Sequence, residues 1–432
     1  MKAIMKISVR FLMVSTLLAV AVATARADEI SDWSDNLFQA ARTAGSSPLL
    51  TNRFAAIVQA AVFDAVNGID RRYTPVHVEP NAPPGASRRA AAVQAAYASL
   101  VKIYPAQQAA LDSKLAASLA AIAADSTMED SVSIQRGIQW GQAVADAIWA
   151  WRSADGITPP PPPFIGGTAP GQWRPTPPAF LPGAGPQFAT MTPWVIAYPS
   201  QFRPGGPPAL TSDRYVQDFN ETESMGSINS ASRTADETLY AKFWDGSSPA
   251  YFWDQAAVSL AQERHLNFSE ESRLLALVNL AIADANIGCW DAKYFYVFWR
   301  PITAVRLAST DGNPATIEDS TWTPLRVTPA FPEYPSGHAC ASSAAARVLS
   351  TYFGESTSFS LVSNNPEVAG VTRFFPNFSA AVAEVDNARI FAGIHFRSAC
   401  DDGGALGLGV ADFVLDHALL PVNGNKEGQL AR

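Results

Sequence analysis

A proline- and glycine-rich segment interrupts the middle of this chain and limits how the chain can fold. The segment runs from residue 156 to about residue 208 and contains five consecutive prolines, Pro159 to Pro163, which exclude a regular helix there. Aromatic residues within it, such as Trp173 and Trp194, indicate that it packs against the protein rather than forming a free linker. The chain therefore divides into two parts joined by an extended or wrapping connection.

Both parts show the periodicity of amphipathic helices. Apolar residues recur at three- and four-residue steps from Arg53 to Asp70, and alanine-rich patterns of the same kind continue to Trp151. Helical periodicity returns at about Thr234 and continues almost to the C-terminus. We therefore predict an all-α protein with two helical bundles, over residues 28–155 and 234–432, joined by a wrapping connection over residues 156–233.

A short internal similarity suggests that the two bundles are related. Residues 57–68 align without gaps on residues 277–288, and the five identical positions include Asp64 with Asp284. Alanine-rich segments of this length also match by chance, so the similarity is a weak indication of a duplicated bundle.

The N-terminus has the pattern of a secretory signal. Lys2, Lys6 and Arg10 precede an apolar run over residues 11–23, and Ala25-Arg26-Ala27 then offers a small-residue cleavage site. We expect cleavage after Ala27 and a periplasmic or secreted protein. The apolar run is shorter than the roughly 20 residues that a membrane-spanning helix needs, and no later stretch is expected to span a membrane.

Charge and cysteine content exclude further classes. Removal of residues 1–27, which carry four cations and no acids, changes the formal net charge from -8 to -12, so a nucleic-acid partner is not expected. Cys289, Cys340 and Cys400 are an odd number, and their spacings match no zinc or redox motif. We expect buried thiols, with at most one disulfide within the chain.

The first chemically informative segment is residues 290–301. Lys293 and Arg300 lie seven residues apart, which would place them on one stripe of a helix, and the residues between them are mostly aromatic. Because an unpaired buried charge is costly, both cations must either extend to solvent or face a bound anion or a carboxylate.

The second segment is residues 331–338, followed by an apolar stretch that ends at Gly354. Ser336 is predicted to be the N-cap of a helix, which puts Gly337 and His338 at its first positions. Free backbone N–H groups and the helix dipole favour an anion at such an end, although capping serines near a histidine are also common without a function.

The third segment is residues 388–397. Arg389 and Gly393 would share one face of a helix, so that the glycine leaves room beside the guanidinium, with His395 half a turn further on. The alternative is a core helix whose histidine binds a carbonyl group. The other three histidines have no such setting and are interpreted as structural or surface residues: His77, His265 and His417.

Taken together, the three segments resemble the signature of the vanadium haloperoxidase and type 2 phosphatidic acid phosphatase superfamily. The shared order is Lys, six residues, Arg-Pro, then Pro-Ser-Gly-His, then Arg, five residues and His. The similarity covers roughly the C-terminal 180 residues, and the helical N-terminal half is similar to the bacterial haloperoxidase-like members. The C-terminal bundle is thus expected to carry an oxyanion pocket.

The resemblance implies a role for each matching residue. Vanadate or phosphate would be held by Lys293, Arg300, Ser336, Gly337 and Arg389. His395 would be the metal ligand for vanadium or, with phosphate, the nucleophile. His338 would be the general acid–base, and Lys293 would also assist catalysis.

Two features of the sequence bear on which activity to expect. The third family motif usually begins with Ser and has Asp four residues after the histidine, whereas this chain has Ala388 and Ala399 there. Asp401 or Asp402 could orient His395 only if the loop folds back, which weakens the phosphatase interpretation. In contrast, the positions of two aromatic residues resemble the halide-pocket wall of fungal chloroperoxidases: Trp290 and Phe331.

We therefore expect a vanadium-dependent haloperoxidase that uses hydrogen peroxide and a halide. The alternatives are an acid phosphatase that cleaves a phosphate ester through a phosphohistidine, and an exported oxyanion-binding protein without turnover. A serine or zinc hydrolase is disfavoured because neither Gly-x-Ser-x-Gly nor His-Glu-x-x-His occurs. The oligomeric state stays open, and a homo-oligomer is compatible with the sequence.

Overall fold

A computed structural model describes residues 28–125 and 129–422, and this part of the chain is predominantly helical. The signal peptide predicted over residues 1–27 lies outside it. The helices are α1 Glu29–Thr43, α2 Pro48–Asp70, α3 Arg88–Ile103, α4 Gln108–Ala124, α5 Ser131–Arg152, α6 Asp213–Gly226, α7 Ala235–Phe243, α8 Pro249–Glu263, α9 Phe268–Tyr296, α10 Pro301–Arg306, α11 Gly337–Phe353, α12 Phe378–Phe391 and α13 Arg397–His417. Strands β1 Phe359–Val362 and β2 Thr372–Phe375 form one antiparallel pair. The prediction of an all-α fold is confirmed.

Helix α9 lies at the centre of the molecule. It packs against α2, α8, α11 and α13, and α2 packs in turn against α3 and α5. One continuous cluster of buried apolar side chains includes Trp33 of α1, Leu277 of α9 and Val414 of α13. The two helical parts therefore share a core, and the division into separate bundles stays a prediction.

Two helices of the described chain are long and apolar enough to cross a membrane. From the sequence, no such stretch was expected after the N-terminal signal. The two helices are Pro48–Asp70 and Phe268–Tyr296, and 83% and 94% of their most apolar windows are buried inside the protein. Burial in a protein core explains the same composition, because α2 and α9 pack on each other and on their neighbours.

The connection is irregular over most of its length. Between α5 and α6 the described elements are two short 3₁₀ turns, Pro186–Thr190 and Pro199–Phe202, and Trp173 is fully buried there, as its aromatic character suggested. The predicted connection extended to residue 233, but α6 forms within it. The helical periodicity of α6 was missed in the sequence because this helix is mostly polar and buries only a narrow stripe that includes Tyr215 and Phe219.

The internal similarity corresponds to one local arrangement that occurs twice. Asp64 in α2 and Asp284 in α9 are both fully buried, and burial raises the pKa of each carboxyl to about 6. Each carboxylate accepts three consecutive backbone N–H groups at 2.7–2.9 Å, from Val76, His77 and Val78 and from Trp194, Val195 and Ile196 respectively. Each aspartate therefore fastens an irregular segment to its helix.

The three cysteines are buried free thiols, as expected: Cys289, Cys340 and Cys400.

Candidate active site

The three predicted segments meet at one cavity of about 490 Å³. Its lining includes Trp290, Phe331, Gly337, His338, Arg389 and His395. The remaining predicted residues lie immediately beside it and are fully buried: Lys293, Arg300 and Ser336. The structure thus brings together every residue that the motifs singled out.

Lys293 occupies the last turn of α9 and has no exposed surface. Its Nζ donates to the carbonyl oxygens of Pro332 at 3.0 Å and Glu333 at 2.9 Å, and also to that of Pro335. Burial lowers the pKa of the Lys293 ammonium to about 8. Lys293 therefore gives its three N–H groups to the loop before α11 and contributes a positive charge to the cavity.

Lys293 and Arg300 do not lie on one helix, so the predicted stripe was wrong. Helix α9 ends because Val297 takes a left-handed conformation with φ 51°, and Arg300 is the N-cap of α10. Pro301 suits the first position of the new helix, where no backbone N–H is needed. The chain reversal, rather than helical spacing, brings the two cations to the same cavity.

The Arg300 guanidinium is fully buried and only partly paired. Its Nε donates to the Phe331 carbonyl at 2.8 Å. Its Nη1 donates to the Ile394 carbonyl at 2.7 Å and also lies 3.2 Å from Nε2 of His395. Nη2 has no hydrogen-bond partner in the part of the chain that the structure describes. Burial lowers the pKa of Arg300 to about 9.

The N-terminus of α11 has the predicted form. Ser336 is its N-cap and accepts a hydrogen bond from the Ala339 N–H at 3.5 Å, and Gly354 ends the helix. The backbone N–H groups of Gly337 and His338 have no carbonyl acceptor within the helix. A Cβ atom at position 337 would lie 3.0 Å from the Trp290 ring, so glycine allows this close approach.

The third segment differs from the prediction around Gly393. Helix α12 ends at Phe391, and Gly393 follows it with φ 76°, so Arg389 and Gly393 do not share a helix face. A Cβ atom on Gly393 would lie 2.4 Å from the carbonyl oxygen of Gly226, at the end of α6. Gly393 therefore permits close packing against α6 and does not make room for the guanidinium.

Arg389 is almost completely buried, and much of its guanidinium is unpaired. Among residues 28–125 and 129–422, its Nε and Nη1 atoms have no hydrogen-bond partner, and a carboxylate oxygen of Asp245 lies 3.8 Å from Nη1. Burial lowers the pKa of Arg389, although the charge of Asp245 opposes the shift.

His395 is oriented by Glu333. Oε1 of this fully buried carboxyl lies 2.9 Å from Nδ1 of His395 and also accepts the Phe396 N–H at 2.9 Å. Asp401 and Asp402 do not orient His395, because Asp401 pairs with Arg214 and Asp402 accepts a hydrogen bond from Tyr334. With Nδ1–H donating to Glu333, the lone pair of Nε2 is left to accept a hydrogen bond from Nη1 of Arg300.

Burial controls the ionisation of Glu333, His395 and His338. It raises the pKa of Glu333 to about 7, against the lowering effect of Arg300 and Lys293. Burial and the charge of Arg389 hold the pKa of His338 well below its usual value of 6.5, and burial and the charge of Arg300 do the same for His395. Both imidazoles are therefore neutral at neutral pH in the protein without ligand.

Three residues at the cavity were not found from the motifs. Glu333 had a signal in the sequence, since it is the one charged residue in the Phe-Pro-Glu-Tyr-Pro run before Ser336. The other two belong to no recognisable pattern. They are Asp245, which pairs with Arg326 at 2.6 Å, and Asn286, whose Nδ2 has no hydrogen-bond partner within the described ranges. Both line the cavity.

The two aromatic residues proposed for a halide pocket form one wall of the cavity. The ring centroids of Trp290 and Phe331 are 5.0 Å apart, and Lys293 Nζ lies 5.1 Å from the centroid of Phe331. The wall therefore joins an apolar surface to a buried positive charge.

The donor set fits a tetrahedral oxyanion. Three buried cations, Lys293, Arg300 and Arg389, face one fully buried carboxylate, Glu333, and the more distant Asp245. Four hydrogen-bonding atoms have no partner among the described residues: Arg300 Nη2, Arg389 Nε and Nη1, and His338 Nε2. Unpaired buried donors and excess positive charge are costly, and a bound oxyanion would satisfy both.

Comparisons with known proteins agree with this geometry. Residues 273–424 match the family of the VCPO second helical-bundle domain. Vanadium chloroperoxidase of Curvularia inaequalis is 30% identical over 192 residues, which are 39% of this chain and 31% of that protein. The aligned region thus spans about a third of the curated relative.

Solved structures extend the likeness to nearly the whole chain. A bacterial vanadium-dependent iodoperoxidase aligns with a TM-score of 0.77 and 26% identity, covering 91% of this chain and 97% of that one. A holo-type bacterial vanadium-dependent chloroperoxidase aligns with a TM-score of 0.68 and 16% identity, covering 86% and 92%, and shows a common fold.

Fold and site together define an all-helical protein with a buried cationic cavity at the end of a central helix. The resemblance inferred from the three motifs is confirmed: the C-terminal part of the chain is similar in sequence to a vanadium chloroperoxidase, and the fold is similar to those of bacterial vanadium haloperoxidases.

Proposed function

We propose that this protein is a vanadium-dependent haloperoxidase, which oxidises a halide with hydrogen peroxide. The observation that carries the proposal is the position of His395, which lines the cavity. Its Nδ1 lies 2.9 Å from Oε1 of Glu333, and its Nε2 lies 3.2 Å from Nη1 of the buried Arg300. The names of the relatives, a chloroperoxidase and an iodoperoxidase, support the same class of reaction.

Vanadate is the cofactor that this donor set would hold. His395 Nε2 would be the metal ligand, Arg300 and Arg389 would donate to the oxygens, and Ser336 and Gly337 would add donors at the start of α11. Lys293 would contribute charge, because its N–H groups are already donated to carbonyl oxygens. Bound vanadate supplies a Lewis acid that activates hydrogen peroxide toward attack by halide.

His338 would move the protons of the reaction. It lines the cavity, its Nε2 has no hydrogen-bond partner among the residues that the structure describes, and its lowered pKa keeps it neutral at neutral pH. It would accept a proton from hydrogen peroxide and return it to the oxygen that leaves. Trp290 and Phe331 would bind the halide and keep water from the reacting atoms.

We also propose that the protein is exported and acts on small molecules outside the cytoplasm. The cationic N-terminus, the apolar run and the Ala25-Arg26-Ala27 sequence support this proposal. N-terminal sequencing of the protein recovered from the periplasm or the medium tests it, and we expect Asp28 as the first residue.

A comparison of two activities tests the enzymatic proposal. Purified protein loaded with orthovanadate is assayed for peroxide-dependent oxidation of iodide and bromide, and vanadate-free protein is assayed with p-nitrophenyl phosphate. We expect halide oxidation that requires both vanadate and peroxide. Ester cleavage without halide oxidation would instead assign a phosphatase, for which Glu333 supplies the carboxylate missing from the motif. Oxyanion binding with neither activity would assign a binding protein.

A further inference from the structure

Two thiols are in contact next to the start of α11. Cys289 lies in α9 one turn before Lys293, and Cys340 lies in α11 one turn after Ser336, whose carbonyl accepts the Cys340 N–H. Both side chains are fully buried, and the Cys340 S–H donates a hydrogen bond to Sγ of Cys289. The proposed chemistry uses neither thiol, although both helices supply residues to the oxyanion site.

Helix α13 packs tightly against Cys340. A Cβ atom on Gly407 would lie 2.1 Å from the carbonyl oxygen of Cys340, and one on Gly403 would lie 3.3 Å from its Sγ. This packing requires glycine at position 407, since no side chain fits there. The backbone of a third helix therefore fixes the position of Cys340, and the contact between the two thiols belongs to the packed core.

Cys289 is the more acidic of the two thiols. Burial raises the pKa of Cys289, but the hydrogen bond from Cys340 and the positive charges of Lys293 and Arg300 outweigh burial, so that its pKa lies below the ordinary value of 9.0. Burial and the same hydrogen bond hold the pKa of Cys340 well above that value. Because the thiolate is the reactive form of cysteine, Cys289 is the nucleophile of the pair.

Gly337 borders both the cavity and Cys289. It lines the cavity, and a Cβ atom on it would lie 3.9 Å from Sγ of Cys289. A small oxidant that enters the cavity therefore reaches a residue that packs against this thiol. The Cys289 S–H also donates to the carbonyl oxygen of Pro335 at 3.5 Å, which accepts from Lys293 as well. The pair of thiols is thus joined to the loop that places Ser336 and Gly337 at the cavity.

The third cysteine makes other contacts. The Cys400 S–H donates to the carbonyl oxygen of Asp386 at 3.7 Å, and its Sγ accepts from the hydroxyl of Ser336. Burial holds the pKa of Cys400 well above its ordinary value. Cys400 is therefore a buried thiol of low reactivity beside the same loop, and it provides a matched control for the pair.

We propose that Cys289 and Cys340 form a reversible disulfide under hydrogen peroxide, and that this bond lowers the affinity of the cavity for its oxyanion. Oxidation removes the S–H that Cys289 donates to Pro335 and draws α9 and α11 together at the start of α11. The disulfide stands on the contact between the two thiols, whereas its effect on affinity rests on the proposed oxyanion site.

One molecule of hydrogen peroxide balances the reaction. Sγ of Cys289 attacks one peroxide oxygen, the bond between the oxygens breaks, and hydroxide leaves with the thiol proton as water, which gives a sulfenic acid. Sγ of Cys340 then attacks the sulfur of Cys289, the bond between sulfur and oxygen breaks, and hydroxide leaves with the Cys340 proton as a second water. Two thiols are oxidised to a disulfide while one peroxide is reduced to two waters.

The disulfide is tested on the purified protein with hydrogen peroxide, without vanadate or halide. Free thiols are counted in denaturant, and peptides are mapped by mass spectrometry under non-reducing conditions. We expect the count to fall from three to one in wild type, with Cys289 linked to Cys340, and a thiol reductant to restore it. Cys400→Ala should form the same bond, and Cys289→Ala should form none.

The effect on the cavity is tested by calorimetric titration of the reduced and oxidised proteins with phosphate. We expect oxidation to weaken binding about fivefold in wild type and Cys400→Ala, as for the loss of one hydrogen bond, and to leave Cys289→Ala unchanged. Peroxide-treated wild type that keeps three thiols, or that links Cys340 to Cys400, would overturn the assigned pair.

Two further outcomes separate the disulfide from the oxyanion site. A disulfide between Cys289 and Cys340 with unchanged phosphate affinity would overturn the proposed effect on the cavity. A disulfide in a protein whose reduced form binds neither phosphate nor vanadate would support the assigned pair and overturn the proposed oxyanion site, together with the haloperoxidase function.

Discussion

Oε1 of Glu333 and Nδ1 of His395 lie 2.9 Å apart, although the two residues are 62 positions apart in the chain. The same carboxylate oxygen accepts the backbone N–H of Phe396, which fixes the start of α13 as well as the imidazole. A carboxylate in this position selects the tautomer of the histidine and makes the opposite nitrogen a better ligand. Glu333 thereby performs the orienting role that Asp401 and Asp402 do not.

Glu333→Gln should weaken vanadate binding by about 10- to 100-fold at pH 8, because a neutral amide does not increase the basicity of the imidazole. Burial raises the pKa of Glu333 to about 7, so the wild-type carboxyl is itself increasingly protonated below that pH. The difference between wild type and variant should therefore narrow as the pH falls from 8 to 6. Calorimetric titration at several pH values measures both effects.

The exposed Glu263 provides the control for this experiment, as Glu263→Gln removes the same charge at the surface. Equal vanadate affinities of wild type and Glu333→Gln at pH 8 would show that the carboxylate does not act on His395.

His338 should take up a proton when an oxyanion binds. Its pKa is held below 6.5 by burial and by the charge of Arg389, and an anion in the cavity offsets both the positive charge and the cost of a charged imidazole. Phosphate binding at pH 7 should therefore be accompanied by the uptake of more protons in wild type than in His338→Ala. Calorimetry in buffers of different ionisation enthalpy measures the number of protons taken up. The control is His417→Ala, because His417 is exposed. The same proton uptake in all three proteins would contradict the assignment.

Gly337→Ala should lower both stability and oxyanion affinity. The added Cβ atom would lie 3.0 Å from the Trp290 ring, so the ring or the start of α11 must shift. We expect a loss of about 1 kcal/mol in the free energy of unfolding and roughly a tenfold loss of vanadate affinity.

Gly288→Ala is the matched control for this variant. It also lies in a helix, but its added Cβ atom would meet neighbours only at 3.5 Å, which is ordinary contact, so its stability should be unchanged or higher. Urea unfolding measures the stability of both variants, and vanadate titration measures their affinity. Equal effects of the two substitutions would show that Trp290 does not pack tightly against position 337.

Asp64→Asn and Asp284→Asn should each destabilise the protein by about 2 kcal/mol. Each carboxylate accepts three backbone N–H groups, whereas an asparagine offers one oxygen and turns a second donor toward the same groups. Because the two aspartates make matching hydrogen bonds, both substitutions should lower the free energy of unfolding by a similar amount. Asp416→Asn at the surface should not lower it. Urea unfolding tests this, and a loss below about 0.5 kcal/mol at either aspartate would contradict the proposed equivalence.

The all-α fold could be predicted because its helices bury wide apolar faces, which leave a clear period in the sequence. Helix α6 could not, since its composition is polar and its buried stripe is narrow. The extents of α9 and α12 were also missed. Val297 ends α9 in a left-handed conformation without being glycine, and Gly393 was interpreted as part of a helix that it follows.

The motifs identified the residues that gather at the site because their order along the chain resembles a known family signature. They did not identify Glu333, which stands out as the one charged residue shortly before Ser336 but has no spacing that links it to His395. Asn286 was hidden for a similar reason. It is distinguished by an Nδ2 atom that has no hydrogen-bond partner among the described residues, and no pattern of residue types records this.

Titration with orthovanadate, followed by ⁵¹V NMR, tests the central claim most directly, namely that His395 binds vanadium in this cavity. Wild type should give a bound resonance distinct from free vanadate at one equivalent, and His395→Ala should lose it while its circular dichroism and thermal unfolding stay those of a folded protein. The His417→Ala control should behave as wild type. An unchanged bound resonance in His395→Ala, or no bound resonance in wild type, would contradict the account.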